Sequence, residues 1–585
     1  MRSLRDRLRG SESSADADPI AHDAVSTWNA LYTLGVGAVG VVDDRGAVYP
    51  DRRRLSVEVW FGVGDRWLRG GSGDGVRQRR SDGLPIIETR QRVGESDVVQ
   101  TAWADESGDG KGRINVHLTN ETDDAVIAAV VVRPFGAIEP GTIDSIRCVD
   151  SLIVANGRPV VDIGRVPGDC ATAQDISREA PAVLDAVSVA TGDQADSWEM
   201  SDPNGAASLA AMIPLTPGVD RTLQILDGRE EATVAPAPLD AVVRGWKHHL
   251  GDAAEIELPR WPAHLFTSLS SSLLGAAAQT GRPLGDRTWS LTDDAMVVSA
   301  LGAIGLGASG APITADLLGG VVSGNVGREH WVDVAAAIAG ITGTPEGEAV
   351  LVHEREAVAA VVGHVLSTSY NGAIAVPLVE AIAISNGPEA ASDAAQIVGK
   401  APRGDGARAL LRHGWIDGGT ASAEDFARDD RPKTAEAIAI EMIASASRGE
   451  PSEPLVALRS QAGSSWRWAR DGCGDSPHAR AQLAMALVAW CRTQRVDNGV
   501  LTIDLLPGMR PEWYGQSLSF SRLPVAGARL SCALRWHGAR PALLWEFEGE
   551  VPTGCRLTCA RLDTDFETDD SSGEVLLSVP PGGPE

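Results

Sequence analysis

Residues 505–520 read LLPGMRPEWYGQSLSF, and this stretch decides how the chain divides. A Pro-Gly turn at 507–508, a second proline at 511, a Trp-Tyr pair at 513–514 and Gly515 shape a hinge, not the interior of an element. From 501 onward strands are expected in GVLTIDLL, ARLSCALRWHG, PALLWEFEG, RLTCARL and GEVLLSV, which make a small C-terminal β domain over 501–580. Upstream, from 258 to 495, the sequence is helical.

The helical zone runs through HLFTSLSSSLLGAAAQTG (264–281), DDAMVVSALGAIGLG (293–307), ITADLLGGVVSGN (313–325), HWVDVAAAIAGI (330–341) and EREAVAAVVGHVLS (354–367). It continues through GAIAVPLVEAIAIS (372–385), 389–400, 406–415, 433–447 and HARAQLAMALVAWCRTQ (478–494), with weaker candidates at 421–428 and 452–460. Most of these helices are short, Ala-rich and apolar on more than one side, so they bury against neighbours. Short Gly-, Pro- and Asp-containing loops mark successive helical hairpins. No period of about 33–45 residues recurs, so a closed ring of hairpins is expected, not an open solenoid.

Between 23 and 250 the pattern is strand and turn. RRRLSVEVWFGVG (52–64), PIIETRQRV (85–93), DVVQTAWAD (97–105), GRINVHLTN (112–120) and AVIAAVVVRPF (125–135) are β-branched runs separated by Gly, Asp and Asn clusters. The fold class expected is multidomain β + α + β: a large N-terminal antiparallel β-sandwich, a central α/α helical-hairpin toroid and a small C-terminal β domain.

Bulk composition sets the outer limits. At 585 residues the chain exceeds what one hydrophobic core organises. Hydrophobic residues make up 43%, the balance of a globular protein without membrane spans. A formal charge of −27 excludes nucleic acid and anionic membrane surfaces as partners, because both would repel it. No apolar run reaches the length of a transmembrane helix. The first 22 residues begin MRSLRDRLRGSESSADADP, lack the apolar stretch of a signal peptide and read as a disordered tail. The seven cysteines are scattered, and Cys555 and Cys559 have no matching pair nearby to complete a zinc site. They read as reduced thiols of a cytoplasmic protein.

The hinge also carries a family likeness. LLPGMRPEWYGQ followed by LPVAGARLSCALRWHG resembles the passage that leads from toroid to last β domain in six-hairpin glycosidases, among them bacterial α-L-rhamnosidases, α-L-fucosidases and maltose-phosphorylase-like enzymes. ETRQRV, DVVQTAWAD and NVHLTNETDDAVIAAVVVRPFG likewise resemble the sandwich in front of debranching-type toroids. The motifs touch a minor part of the chain, whereas the shared domain order covers nearly all of it. On this likeness Pro507, Gly508 and Pro511 stiffen a reversal of direction, and Trp513 and Tyr514 wedge between toroid and sandwich. Glu512 has an alternative reading as a base at the rim of the ring.

The likeness implies a sugar held in the mouth of the ring. Glycoside hydrolysis needs two carboxyl groups, and in inverting enzymes they stand about 6.5–9.5 Å apart to leave room for a water. Sugars also need aromatic faces, so loops combining Trp or Tyr with Asp or Glu are the candidates. In GDRTWSLTDDAMVVSALGAIG (285–305) the resemblance puts Trp289 and Asp293 or Asp294 at the sugar; related enzymes often have Arg before the aspartate, which is absent here. The plain alternative is that Thr292 or Asp293 caps the helix. GREHWVD (327–333) offers Glu329, against an ordinary acid in a first helical turn. STSYNGA (367–373) offers Tyr370, against a turn residue. SSWRWARDGCGDSPHARAQL (464–483) offers Trp468, Arg470 and Asp471, against a cap at Asp475 with Pro477 at the first helical position.

The candidate catalytic carboxylates are therefore Asp294, Glu329 and Asp471, with Trp289, Asp293, Tyr370, Trp468 and Arg470 as substrate-binding residues. No P-loop, Rossmann fingerprint, zincin or hydrolase-elbow motif occurs, and no metal or organic cofactor is expected. The leading reading is a carbohydrate-active toroid, most concretely an inverting glycoside hydrolase acting on an oligosaccharide or glycoside. The alternative is a catalytically degenerate toroid serving as a glycan-binding or protein-assembly module.

Overall fold

The structure, a computed structural model, describes residues 28–390 and 477–580, apart from 51–53, 64–65, 70–74, 107–111, 137–140, 166, 175–181, 186–197, 227–234, 260–263, 279–289, 369–374, 388, 498–499, 526 and 552–553. Contacts divide the chain into two units, one built on the N-terminal sheets and the other on the helices and C-terminal sheets.

In the first unit an eight-stranded and a nine-stranded antiparallel sheet enclose one core. Alternation supplies it: Val57, Val59 and Phe61 from one sheet and Ile114, Val116 and Leu118 from the other point inward together. Register locks the central strands, with Val130 opposite Val59 on one side and Ala211 on the other. VIAAVVVR reads as an unbroken apolar run because its second face is buried too. Ala129 and Val131 pack there with Trp60, Met212 and Val183.

The second unit opens with helix α1 (Leu239–His249). Then come α2 (Leu265–Ala277), α3 (Leu291–Ala303), α4 (Ala311–Val322), α5 (Trp331–Ile341), α6 (Pro345–His353), α7 (Arg355–Thr368), α8 (Ala375–Asn386) and α9 (Pro477–Cys491). They form two layers. Helices α9, α3, α5 and α8 pack side by side in that order. Against them, α2 contacts both α9 and α3, α4 contacts both α3 and α5, and α6 with α7 contacts both α5 and α8. Each helix of the second layer thus bridges two successive helices of the first, which is the hairpin pattern of an α/α ring. Within the first layer α3 and α9 are buried nearly all round, over Ala295–Leu301 and Arg480–Val488. That burial is why their sequences show no single apolar stripe. Gly302 and Gly340 let α3 and α5 approach closely, since a Cβ on either would strike the other helix's backbone. The chain between α8 and α9 runs through 391–476, so the helices expected there lie outside the described residues.

The C-terminal sheets depart from the expected boundaries in two ways. Helix α9 ends at Cys491, and Arg492–Asp497 is already a strand paired antiparallel with Val500–Leu505, although helix was expected to 494. The register sets Asp497 opposite Val500, leaving only Asn498 and Gly499 between them, and Asn-Gly is a strong hairpin signal. In addition, Glu255–Glu257, from the segment between the N-terminal sheets and the helices, pairs with Leu518–Val525 as an edge strand of the five-stranded sheet. Among the described residues no helix is long and apolar enough to cross a membrane.

The hinge docks onto the end of α9. Leu506 N donates to Cys491 O at 2.8 Å, and a Cβ on Gly508 would overlap the Trp490 indole. Trp513 stacks obliquely on Trp490 at 4.3 Å between ring centroids, while Tyr514 packs against Trp536 of the C-terminal sheet at 5.5 Å. The Trp-Tyr pair therefore faces two ways, one ring to the helices and one to the strands.

Candidate functional site

The candidate residues that the structure describes gather where α3 and α5 begin. These helices run parallel, as three contacts along them fix. Thr292 Oγ1 donates to Asp333 Oδ2 at 3.1 Å at one end, Ser299 Oγ donates to Ala336 O at 3.4 Å midway, and Gly302 meets Gly340 near the other end. Their N-termini therefore lie side by side, and the orphan N–H groups there favour carboxylates.

Helix α3 starts with a capping box. Ser290 Oγ accepts from Asp293 N at 3.2 Å, and Asp293 Oδ2 accepts from Ser290 N at 2.9 Å and Ser290 Oγ at 2.6 Å. Asp293 thus has a structural task. Asp294, the next residue, is half-buried in the first turn and takes no part in that box.

Helix α5 follows a 3₁₀ turn, Arg328–His330. Glu329 is exposed and folds back over Gly327, where a Cβ would collide with its carboxylate. Asp333 is buried in the first turn of α5, with His330 Nδ1 3.8 Å from the Oδ2 that Thr292 reaches. The Trp331 ring meets the His364 ring edge-on at 5.2 Å and lies 5.4 Å from the Arg328 guanidinium. Among the described residues its buried indole Nε1 has no hydrogen-bond partner. The edge thus combines acids, an imidazole and a half-buried indole with a spare donor, a set able to hold hydroxyl-rich ligands by hydrogen bonds and ring contact.

Two of the four candidate stretches, 285–305 and 327–333, are thereby joined through Thr292 and Asp333. Trp289, Tyr370, Trp468, Arg470 and Asp471 lie outside the described residues. The sequence reading passed over Asp333 and His364. Asp333 was detectable as the acid three residues after His330 on the same helical face. It also passed over Glu380 in VPLVEAIAIS on α8. Burial, and then the charge of Glu348 on α6, pushes the Glu380 carboxyl above its ordinary range. Among the described residues no cluster of three or more His, Cys, Asp and Glu side chains gathers at metal-binding spacing.

No protein-family model matches the sequence, and no curated protein matches it. Solved structures that resemble the chain include a bacterial glucoamylase complexed with acarbose, at 10% identity over 79% of this chain and 94% of that one, with a TM-score of 0.46. A protein assigned as a kojibiose phosphorylase from the human microbiome is 6% identical over 95% and 92%, with a TM-score of 0.40. A family GH92 α-mannosidase of Bacteroides thetaiotaomicron in complex with mannoimidazole is 10% identical over 94% and 89%, with a TM-score of 0.35. These neighbours are six-hairpin glycosidase-like toroid enzymes. At such identities and TM-scores the likeness does not extend to residues or chemistry.

Proposed function

We propose that the chain is a carbohydrate-active protein built on a ring of helical hairpins and, most concretely, an inverting glycoside hydrolase acting on an oligosaccharide or glycoside. The observation that supports this reading is the shared N-terminal edge of α3 and α5, where Asp294, Glu329 and Trp331 lie on adjoining turns. In the proposed reaction one carboxylic acid protonates the leaving oxygen while a carboxylate on the other face of the sugar activates water. Asp294, Glu329 and Asp471 are the candidates for these roles. Trp289, Tyr370 and Trp468 would offer faces to the sugar ring, and Asp293 and Arg470 would hold its hydroxyls.

A second reading has its own support. Asp293 is engaged in a helix cap and Asp333 ties two helices together, so acids at this edge have structural work to do. That favours a catalytically degenerate ring which binds a glycan or serves as an assembly module.

A panel of aryl glycosides and α- and β-linked oligosaccharides, assayed with and without phosphate, separates the readings. Turnover that falls at least a hundredfold in Asp294→Asn, Glu329→Gln or Asp471→Asn supports the hydrolase; about 10²–10⁴-fold is the usual contribution of a positioned acid or base. Saturable sugar binding without turnover supports the degenerate ring. Absence of both removes the carbohydrate reading.

A further inference from the structure

The groups gathered around Trp331 call for an acceptor. Arg328, on the 3₁₀ turn before α5, is exposed, and its guanidinium carbon lies 5.4 Å from the centre of the indole. His364, on α7, meets the same indole edge-on at 5.2 Å and so fixes the ring on which the guanidinium rests. A guanidinium over a ring face gains from the ring quadrupole and keeps its in-plane N–H groups available. Among the described residues no acid pairs with Arg328, although the chain carries a net charge of −27. The acid next to it in sequence, Glu329, folds back over Gly327 instead. Asp293 closes the capping box of α3, and Asp333 accepts from Thr292 and faces His330. The acids of this edge thus have other work or other directions, and the guanidinium is left uncommitted.

We propose that the glycan taken at this edge carries a carboxylate, as a uronic acid does, and that Arg328 is the residue that selects it. The proposal rests on the carbohydrate reading given above and narrows its substrate class. An ionised carboxylate only accepts, and its two coplanar oxygens match the fork of a guanidinium held in one plane. A neutral sugar brings hydroxyls, each of which also donates and is met less well by a group that can only donate. The indole Nε1, which has no partner among the described residues, is a further donor beside the guanidinium. Asp294 and Glu329, the candidates for acid and base, repel an anion, so the carboxylate is drawn to Arg328 and away from them. The N-termini of α3 and α5, which lie side by side, offset part of that repulsion.

Titration calorimetry on the full chain compares oligosaccharides of galacturonate and glucuronate with their carboxyl-reduced, neutral counterparts, at low and high salt. The uronides should bind at least about tenfold more tightly, with the advantage shrinking as salt screens the pair. Arg328→Gln should weaken uronide binding about 10–100-fold, the range of a hydrogen bond to a charged group, and bring it to the level of the neutral sugars. Arg328→Lys keeps the charge without the fork and should restore only part of the loss. Neutral sugars bound as tightly as uronides would overturn the proposal while leaving the carbohydrate reading in place. Uronides that keep their advantage in Arg328→Gln would overturn the role of Arg328. Binding of neither kind would remove the proposal and the carbohydrate reading together.

Discussion

The end of α9 and the shared beginning of α3 and α5 are both places where indoles meet helix termini, and they are built on opposite terms. At the end of α9, Trp490 and Trp513 are buried against each other, and Gly508 is the residue that lets the hinge lie flat on Trp490. At the start of α5, Trp331 is only partly buried, touches a histidine and an arginine, and has an indole N–H without a partner. The first site also leaves Trp490 Nε1 without a partner, so a spare donor alone does not mark a binding edge. What separates the two is neighbouring charge and access. Aromatic residues in a loop therefore announce neither packing nor recognition until their neighbours are known.

The comparison breaks first if the α9 end is not a packed joint. Trp513→Ala should cost about 4 kcal/mol, the usual price of truncating a buried aromatic, with a corresponding fall in the denaturation midpoint. Gly508→Ala should cost about 2 kcal/mol, because the added methyl must displace the Trp490 ring. Midpoints unchanged in both variants would show that the hinge does not rest on α9. Trp331→Phe, by contrast, should cost no more than about 1 kcal/mol, since its N–H has no bond to lose and the smaller ring keeps part of the contact with His364 and Arg328. A large loss there would move Trp331 into the same class as Trp513.

Next, the acids at the α3 and α5 edge divide by task. Asp333→Ala removes the buried acceptor of Thr292 and should destabilise by about 2 kcal/mol. Asp293→Ala removes one half of the capping box and should cost about 1 kcal/mol. Chemical denaturation of the two variants checks the order. A loss in Asp293→Ala as large as that in Asp333→Ala would mean that the Asp293 carboxylate does more than cap α3.

Most of the scaffold was legible because its signals are local. The runs at 112–120 and 125–135 alternate or stay apolar, and the strands Gly112–Asn120 and Val126–Arg133 fall on them. The helix starting near 330 was equally plain. What escaped was of two kinds. Helix α6 was announced by Thr344 as cap, accepting from Gly347 N at 3.1 Å, with Pro345 at the first helical position, but its nine residues are too few for periodicity to show. The edge strand Glu255–Glu257 is invisible for another reason: its three residues acquire their role only from Leu518–Val525, on the far side of the whole helical region. The site was legible to the same extent. Thr292 or Asp293 was expected to cap α3, whereas Ser290 is the N-cap and Asp293 its partner three residues on; the link from Thr292 to Asp333 joins separate helices and has no local signature.

Glu380 gives the smallest effect and the one that tests whether burial alone sets a carboxyl apart from those at the α3 and α5 edge. Its folded carboxyl is raised above the ordinary value of 4.5, by burial first and by Glu348 second. A raised carboxyl means that the folded chain binds the proton more tightly than the unfolded chain does. Stability from this group is then fully present below about pH 4.5 and is lost as pH rises through the folded value. Glu380→Gln abolishes that dependence, so the variant should melt slightly higher than the unsubstituted chain at pH 7, with the gap closing as the pH is brought down to 4. Thermal melts at the two pH values measure it. A variant that is less stable at pH 7 would mean that the Glu380 charge is held by a favourable contact, and its carboxyl would then belong with the engaged acids of the helix ends, not apart from them.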